Sequence, residues 1–416
     1  MNVLLCESNR IKRYLSPKIV NVVVVLLGVL KFILYGLDSL SVENSDWQAY
    51  ELTANYSFGF IKRALLGTIV RFMADNMGLG YSDSVYLFML LEEIIFTIIM
   101  FSLALCLVNK FKDPNLNLIV LLFLSTDIVG FYYFDWGEPD ILLMSLTVIA
   151  CILIIRDKAL WLVPLLSALC VLIHEGYVSM YFGLVIALLC IKWISESGKN
   201  RARFFVTMMI TGLLCTSLFL YFYLYSEKAF TITSQEFVDY SVEALGSTPT
   251  SEMNLLSAFW NIGTPAFAMW ENGVPTLEFW YRMIVVLFAA VLCLPLVFYK
   301  FSIWKRIIIS EKNKFNRFIY LFCASFFILT IPLIVLHTDE GRWFYDLVFQ
   351  EFMLLFCIYI MDHKNVRSIV SNTVKCNALN MIILIYYCAF FIRPNKQAID
   401  DMIADAASLI LHIIYS

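Results

Sequence analysis

Charged residues are scarce in this chain, and the motifs of cytosolic chemistry are missing from it. Asp, Glu, Lys and Arg make up 15% of 416 residues, while 61% are hydrophobic. A soluble domain has no place to bury that much apolar surface, so lipid-facing helices are expected. A net charge of −3 gives no basis for binding nucleic acid. No glycine-rich phosphate loop, dinucleotide fingerprint or HExxH occurs. The Asp-x-Asp triplet with which nucleotide-sugar enzymes hold a metal is absent as well. A transferred sugar would therefore not come from a cytosolic nucleotide donor. No small-residue cleavage site follows the first strong apolar run near Ile19, so no cleavable signal peptide is expected.

The 11 cysteines form no disulfide framework. Cys106, Cys151, Cys170, Cys190, Cys215, Cys293, Cys323, Cys357 and Cys388 sit in apolar runs. Cys6 and Cys376 fall in basic segments. They read as small apolar residues.

A spanning helix needs roughly 20 apolar residues. Candidates are 19–37, 84–108, 116–133, 141–155, 159–173, 176–191, 204–225, 279–299, 317–336, 344–361 and 378–392. The expected fold is all-α: a single polytopic membrane domain over 1–416, with about eleven transmembrane or re-entrant helices. Most of the 30 lysines and arginines fall in alternate loops, among them Arg10 to Lys18, Lys110/Lys112, Arg156/Lys158, Lys192 to Arg203, Lys300 to Arg317 and Lys364 to Lys375. The bias toward positive charge inside then places the N-terminus in the cytoplasm. Residues 159–191 must turn back within a short length, as two short helices or one re-entrant hairpin, with His174-Glu175 at the turn.

Two loops on the opposite, outer side are long. The first, 38–84, holds Phe58-Gly-Phe-Ile-Lys62-Arg63-Ala-Leu-Leu-Gly-Thr-Ile-Val-Arg71-Phe, whose cations at helical spacing predict a helix lying in the interface. The second, 227–277, holds Trp260, Pro265, Trp270 and Pro275. The tail, 394–416, reads as an outer interfacial segment.

Polar clusters gather on that outer face. Asp46, with Trp47 and Tyr50 beside it, is a candidate general base, since a carboxylate at a low-dielectric boundary has its proton affinity tuned; the plain alternative is a solvated loop acid. Asp135, Glu138 and Asp140 fall within six residues held by Gly137 and Pro139. They can hold a sugar hydroxyl or, with further ligands, a divalent cation, although no metal site is assigned; Asp140 reads as the cap of the helix that follows. His174-Glu175 interrupts an apolar stretch, where ionisable groups are costly unless used. His337-Thr-Asp339-Glu340-Gly-Arg342 is the densest cluster. Arg342 can clamp a phosphate, helped by a helix N-terminus, or the cluster is an interfacial salt-bridge knot. Glu92-Glu93, Asp127 and Lys31 fall in or near apolar runs at a depth the sequence does not fix.

Three features together resemble the GT-C glycosyltransferases, polytopic enzymes that use polyprenyl-phosphate sugars. They are Asp46 after the first helix, an acidic loop at Asp135–Asp140 leading into a helix that ends in a basic pair, and a close helix pair broken at Leu172-Ile-His174-Glu175-Gly-Tyr. The resemblance covers roughly 19–195, leaving 196–416 as a variable half, and His174 departs from the lysine or acid common near that break. In outline the chain is similar to the serotype-converting O-antigen glucosyltransferases of temperate phages. The resemblance implies a sugar, glucose first, moved from undecaprenyl phosphate to a lipid-linked glycan on the periplasmic face of a bacterial inner membrane, with lipids around it. It implies Asp46, Asp135 and Glu138 as catalytic carboxylates; Arg342, Lys62, Arg63 and His337 on the donor phosphate; and His174, Glu175, Asp339, Glu340 and Trp47 against the substrates. No resident cofactor is implied. An O-antigen polymerase, a transporter or lipid flippase, and a structural role in surface assembly are the other readings. The sequon Asn55-Tyr-Ser57 leaves a eukaryotic home open.

Overall fold

The structure, a computed structural model, describes residues 11–36, 46–125, 139–246, 294–331 and 340–391, with isolated positions between 270 and 291. Among the described residues the architecture is all-α apart from Trp270–Glu271 pairing with Val274–Pro275. Helices dominate because they satisfy every backbone polar group inside one apolar segment. In chain order they are α1 (Pro17–Gly36), α2 (Asp46–Glu51), α3 (Ala64–Met77), α4 (Tyr81–Phe111), α5 (Pro114–Ser125), α6 (Pro139–Arg156), α7 (Leu162–Ile173), α8 (Tyr177–Met180), α9 (Phe182–Ser195) and α10 (Gly198–Ala229). There follow α11 (Ser234–Leu245), α12 (Leu294–Ser310), α13 (Lys314–Ser325), α14 (Glu340–Ile360), α15 (Val366–Thr373) and α16 (Ala378–Phe391).

Three stretches among the described residues, Tyr81–Phe111, Pro139–Arg156 and Gly198–Ser226, are long and apolar enough to cross a membrane. His363–Thr373 and Ala378–Tyr386 together make a fourth such stretch, bent by 94°. α9 and α14 lie at the centre, with Leu184, Val185 and Leu188 of one and Phe349, Leu354 and Ile358 of the other buried completely. Phe123 of α5 packs its ring against Phe349, Phe352 and Phe356. α10 is the opposite case: Val206, Ile210, Leu213 and Leu224 face outward. A continuous apolar stripe of this kind belongs against lipid.

Two sets of polar and apolar contacts tie helix ends together. At the basic end, the Tyr359 hydroxyl donates to Asp113 (2.6 Å), Asn117 donates to the Leu15 carbonyl (2.8 Å), Arg203 pairs with Asp157 (3.2 Å) and Lys364 with Glu311 (2.7 Å). At the other end the first long loop folds over α6, α7 and α10. There Tyr50, Ala54, Phe58, Ile61 and Ala64 form an apolar cluster with Phe237 and Val238 of α11, so the two long loops pack together. The Thr53 and Ser241 hydroxyls meet at 2.7 Å.

Two glycines permit that packing. Gly59 has φ +114 and a Cβ there would come within 1.9 Å of the Ala229 carbonyl; at Gly67 it would come within 2.0 Å of the Ala54 carbonyl. Gly67→Ala should push α3 off the loop and cost about 3 kcal/mol, read as a lowered thermal midpoint in detergent. Gly212→Ala, in α10 with nothing within 4 Å of its Cβ, is the control and should hold or gain stability.

Several sequence expectations are corrected here. Helix α3 starts at Ala64, after Lys62 and Arg63, because Arg63 sits in the left-handed region (φ 61, ψ 6) and ends the turn that precedes it. The expected helix 176–191 is broken at Tyr181, and 317–336 becomes α13 followed by a tighter turn over Phe326–Thr330. Helix α12 runs through Lys300, Lys305 and Arg306, which the charge pattern put in a loop; Lys300 turns inward to pair with Glu351 at 2.9 Å. Asp140 is the second residue of α6 rather than its cap, with Pro139 at the first position, where a missing N–H costs nothing. Asn55 is 1% exposed; its side chain accepts from the Ser57 amide (3.0 Å) and from Arg71 (3.3 Å), leaving the sequon no freedom to carry a glycan in the folded protein.

Candidate functional site

The first long loop delivers two cations to the break between α7 and α8. Arg63 lies against Glu175 side-on: Nε is 3.2 Å from both carboxylate oxygens and Nη2 is 2.9 Å from Oε1. Its Nη1 donates to Glu51 Oε1 at 2.8 Å. Lys62 Nζ lies 3.6 Å from the same Glu175 Oε1. Side-chain exposure is 4% for Lys62, 15% for Arg63, 8% for Glu51 and 6% for Glu175. Two positive and two negative groups are thus buried together, and the left-handed backbone of Arg63 aims its side chain inward.

The break explains the position of Glu175. His174 ends α7 with an extended backbone (φ −153, ψ 123), and its Nδ1 accepts from the Gly176 amide at 2.9 Å. A Cβ at Gly176 would lie 2.8 Å from that ring, so glycine is needed for the ring to fold back. A small cleft lies beside the cluster, lined by Glu51, Leu52, Arg63, Leu66, Pro139 and Ile173. Its interior, about 10 Å³, holds about one water.

Charge state follows from this geometry. Burial acts first on Lys62 and lowers its pKa to about 8, against the pull of Glu175 and Glu51. Burial works against the charged form of Arg63 too, but the two carboxylates outweigh it and hold the guanidinium firmly protonated. For Glu175 burial opposes ionisation, while Arg63 and Lys62 overcome it and hold the carboxyl well below its ordinary range.

Of the residues singled out from sequence, Lys62, Arg63, His174 and Glu175 are brought together. Asp46 and Trp47 open α2, the short helix whose last residue is Glu51; a rise of about 1.5 Å per residue puts the Asp46 backbone some 7–8 Å along the axis from that of Glu51. Glu340 and Arg342 fall within the first turn of α14 rather than ahead of it. Asp135, Glu138, His337 and Asp339 lie outside the described residues. Glu51 was missed by sequence reasoning, although an acid closing the same short segment as Asp46 and 12 residues before a cation was a usable signal.

Comparison with protein-family models, curated proteins and solved structures finds no match to this chain. The site therefore stands on its own chemistry. Among the described residues no group of three or more His, Cys, Asp or Glu is placed to hold a metal. A pair of cations that converges on one carboxylate oxygen has donors of the kind that hold an anion with several oxygens. Elsewhere, Glu92 and Glu93 are buried in the body of α4, their four carboxylate oxygens without a hydrogen-bond partner among the described residues.

Proposed function

We propose that the chain is a multi-pass membrane glycosyltransferase of GT-C type, with its site on the periplasmic face of a bacterial inner membrane and its N-terminus in the cytoplasm. In this reading about eleven helices span or re-enter the bilayer. The donor is a sugar, glucose first, on undecaprenyl phosphate, and the acceptor is a hydroxyl of a lipid-linked O-antigen or similar surface glycan. The observation that carries the reading is the convergence of Lys62 and Arg63 on the His174-Glu175 break, next to the helix that Asp46 opens.

The reaction runs as a displacement at the anomeric carbon. The acceptor oxygen forms the new bond as the bond from carbon to the phosphate oxygen breaks, and polyprenyl phosphate leaves with the electron pair. Asp46 takes the hydroxyl proton. Arg63, Lys62 and Arg342 stabilise the charge that grows on the leaving phosphate. Asp135 and Glu138 face the positive charge that develops on the sugar ring, as carboxylates do in glycoside hydrolysis. His337 joins the phosphate side, and Trp47, His174, Asp339 and Glu340 hold the substrates.

The test is incubation of purified protein in nanodiscs with a polyprenyl-phosphate hexose and a lipid-linked glycan, products read by mass. A gain of one hexose on the acceptor supports the reading. An unchanged acceptor overturns it, and joining of lipid-diphosphate repeats would assign a polymerase instead. A pH series adds a second check. Transfer should fall as pH rises through about 8, where Lys62 loses its proton, and Lys62→Arg should keep activity at high pH. Stability should move the other way. Between about 8 and 10.5 the unfolded chain holds more protons at this lysine than the folded one, so Lys62 by itself makes folding more favourable as pH rises.

A transporter or lipid flippase is the second reading, favoured by ionisable groups in the body of the helices: Glu92 and Glu93 on α4, and the Lys300–Glu351 pair joining α12 to α14. Movement of a labelled polyprenyl lipid between leaflets of proteoliposomes, without any transfer product, would select it.

A further inference from the structure

Every edge of Arg63 that suits a phosphate is already taken. Its Nε–Nη2 edge holds Glu175 with contacts of 2.9 and 3.2 Å, and its Nη1 holds Glu51 at 2.8 Å. Lys62 meets the same Glu175 oxygen at 3.6 Å. The adjoining cleft has room for about one water, far less than a phosphate with its sugar. An anion therefore cannot simply add to this site; something already in it must leave.

Glu175 is the group built to leave. It stands in the break between two helices, where Ile173 ends one and Tyr177 starts the next. Its neighbours are pinned by local bonds: the His174 amide donates to the Cys170 carbonyl (2.9 Å), the Gly176 amide to His174 Nδ1 (2.9 Å) and the Tyr177 amide to the His174 carbonyl (3.1 Å). The Glu175 carboxylate is held by Arg63 and Lys62. Glu51, by contrast, belongs to α2 and holds only the outer nitrogen of Arg63.

We infer that Glu175 is an internal stand-in for the donor's phosphate: it balances Arg63 and Lys62 while the site is empty, and a phosphomonoester displaces it on binding. This deepens, and rests on, the reading of the site as one for a polyprenyl monophosphate. The physical logic is one of compensation. Without Glu175, Glu51 alone would balance two buried cations, leaving one positive charge unpaired, so an empty site needs a second carboxylate of its own. Exchange keeps the count of charges in the cluster close to constant, and it sets a threshold: only an anion that satisfies both cations at once replaces a bidentate carboxylate. A neutral lipid or a lone sugar leaves Glu175 in place.

The experiment measures binding of farnesyl phosphate, with farnesol and inorganic phosphate as comparison probes, to the purified full chain by native mass spectrometry. Glu175→Gln keeps the shape and removes the competing charge; it should bind farnesyl phosphate about tenfold or more tightly than wild type, with farnesol unchanged. Glu175→Asp is one methylene shorter and loses the side-on reach, so it should bind about threefold more tightly. Tighter farnesyl phosphate binding in both variants supports the exchange. Equal or weaker binding in folded Glu175→Gln, beside a wild type that binds, overturns the exchange while the phosphate reading stands. Should Glu175→Gln fail to fold, Glu175→Asp decides by the same comparison. No binding of either phosphate by wild type or variants overturns the phosphate reading and the exchange with it. Inorganic phosphate bound as tightly as farnesyl phosphate in Glu175→Gln makes the site a free-anion site and overturns the lipid donor.

Discussion

Arg63→Met should be the most damaging single change at the site, costing about 3–5 kcal/mol of stability and all transfer. The reason is what stays behind. Glu51 and Glu175 are 8% and 6% exposed, and with the guanidinium gone Glu51 loses its 2.8 Å partner and Glu175 keeps Lys62 at 3.6 Å. The loss should appear as a thermal midpoint several degrees lower and as proteolysis within residues 46–63. Adding Glu175→Leu should recover part of the stability, because one buried charge of each sign then remains, but it should not recover transfer. A single variant as stable as wild type would mean that the cluster does not hold the loop in place.

Asp46→Asn should do the reverse: unfolding within about 0.5 kcal/mol of wild type, and a transfer rate lower by roughly 10²–10⁴-fold. The substitution keeps size and hydrogen bonding but cannot take a proton from the acceptor hydroxyl. The comparison with Arg63→Met separates chemistry from architecture, since Asp46 opens the six-residue helix whose last residue, Glu51, holds Arg63. Wild-type turnover in the purified Asp46→Asn protein would remove Asp46 from the base role and leave the phosphate side untouched.

Much of the helical framework was legible because period and length carry it. Runs such as 84–108 and 204–225 reappear inside Tyr81–Phe111 and Gly198–Ala229. The inward or outward sense of a cation was not legible. Lys62 and Arg63 looked like part of an interfacial stripe with Arg71, yet Arg71 stays at the surface while Arg63 meets a partner 112 positions later in the chain. Lys300 failed in the same way: a basic residue next to other basic residues reads as a loop, and only Glu351 on another helix explains why it is buried. Local pattern encodes secondary structure; the partner of a buried charge is a tertiary fact. Glu51 was overlooked for that reason, being ordinary in its own segment.

The packing of residues 50–64 against Phe237 and Val238 carries a consequence for biogenesis. A ribosome releases the early half of this surface well before the late half. Until roughly residue 245 has emerged and crossed, Phe58 and Ile61 lack their cover, although Glu175 is by then in reach of Arg63. Nascent chains arrested shortly before Ser234 should therefore hold the charged knot without its apolar roof and be cut readily in the 50s, whereas chains arrested far enough beyond Leu245 for that residue to have cleared the ribosome and the membrane should resist. The surface shared by the two loops would close only late in assembly.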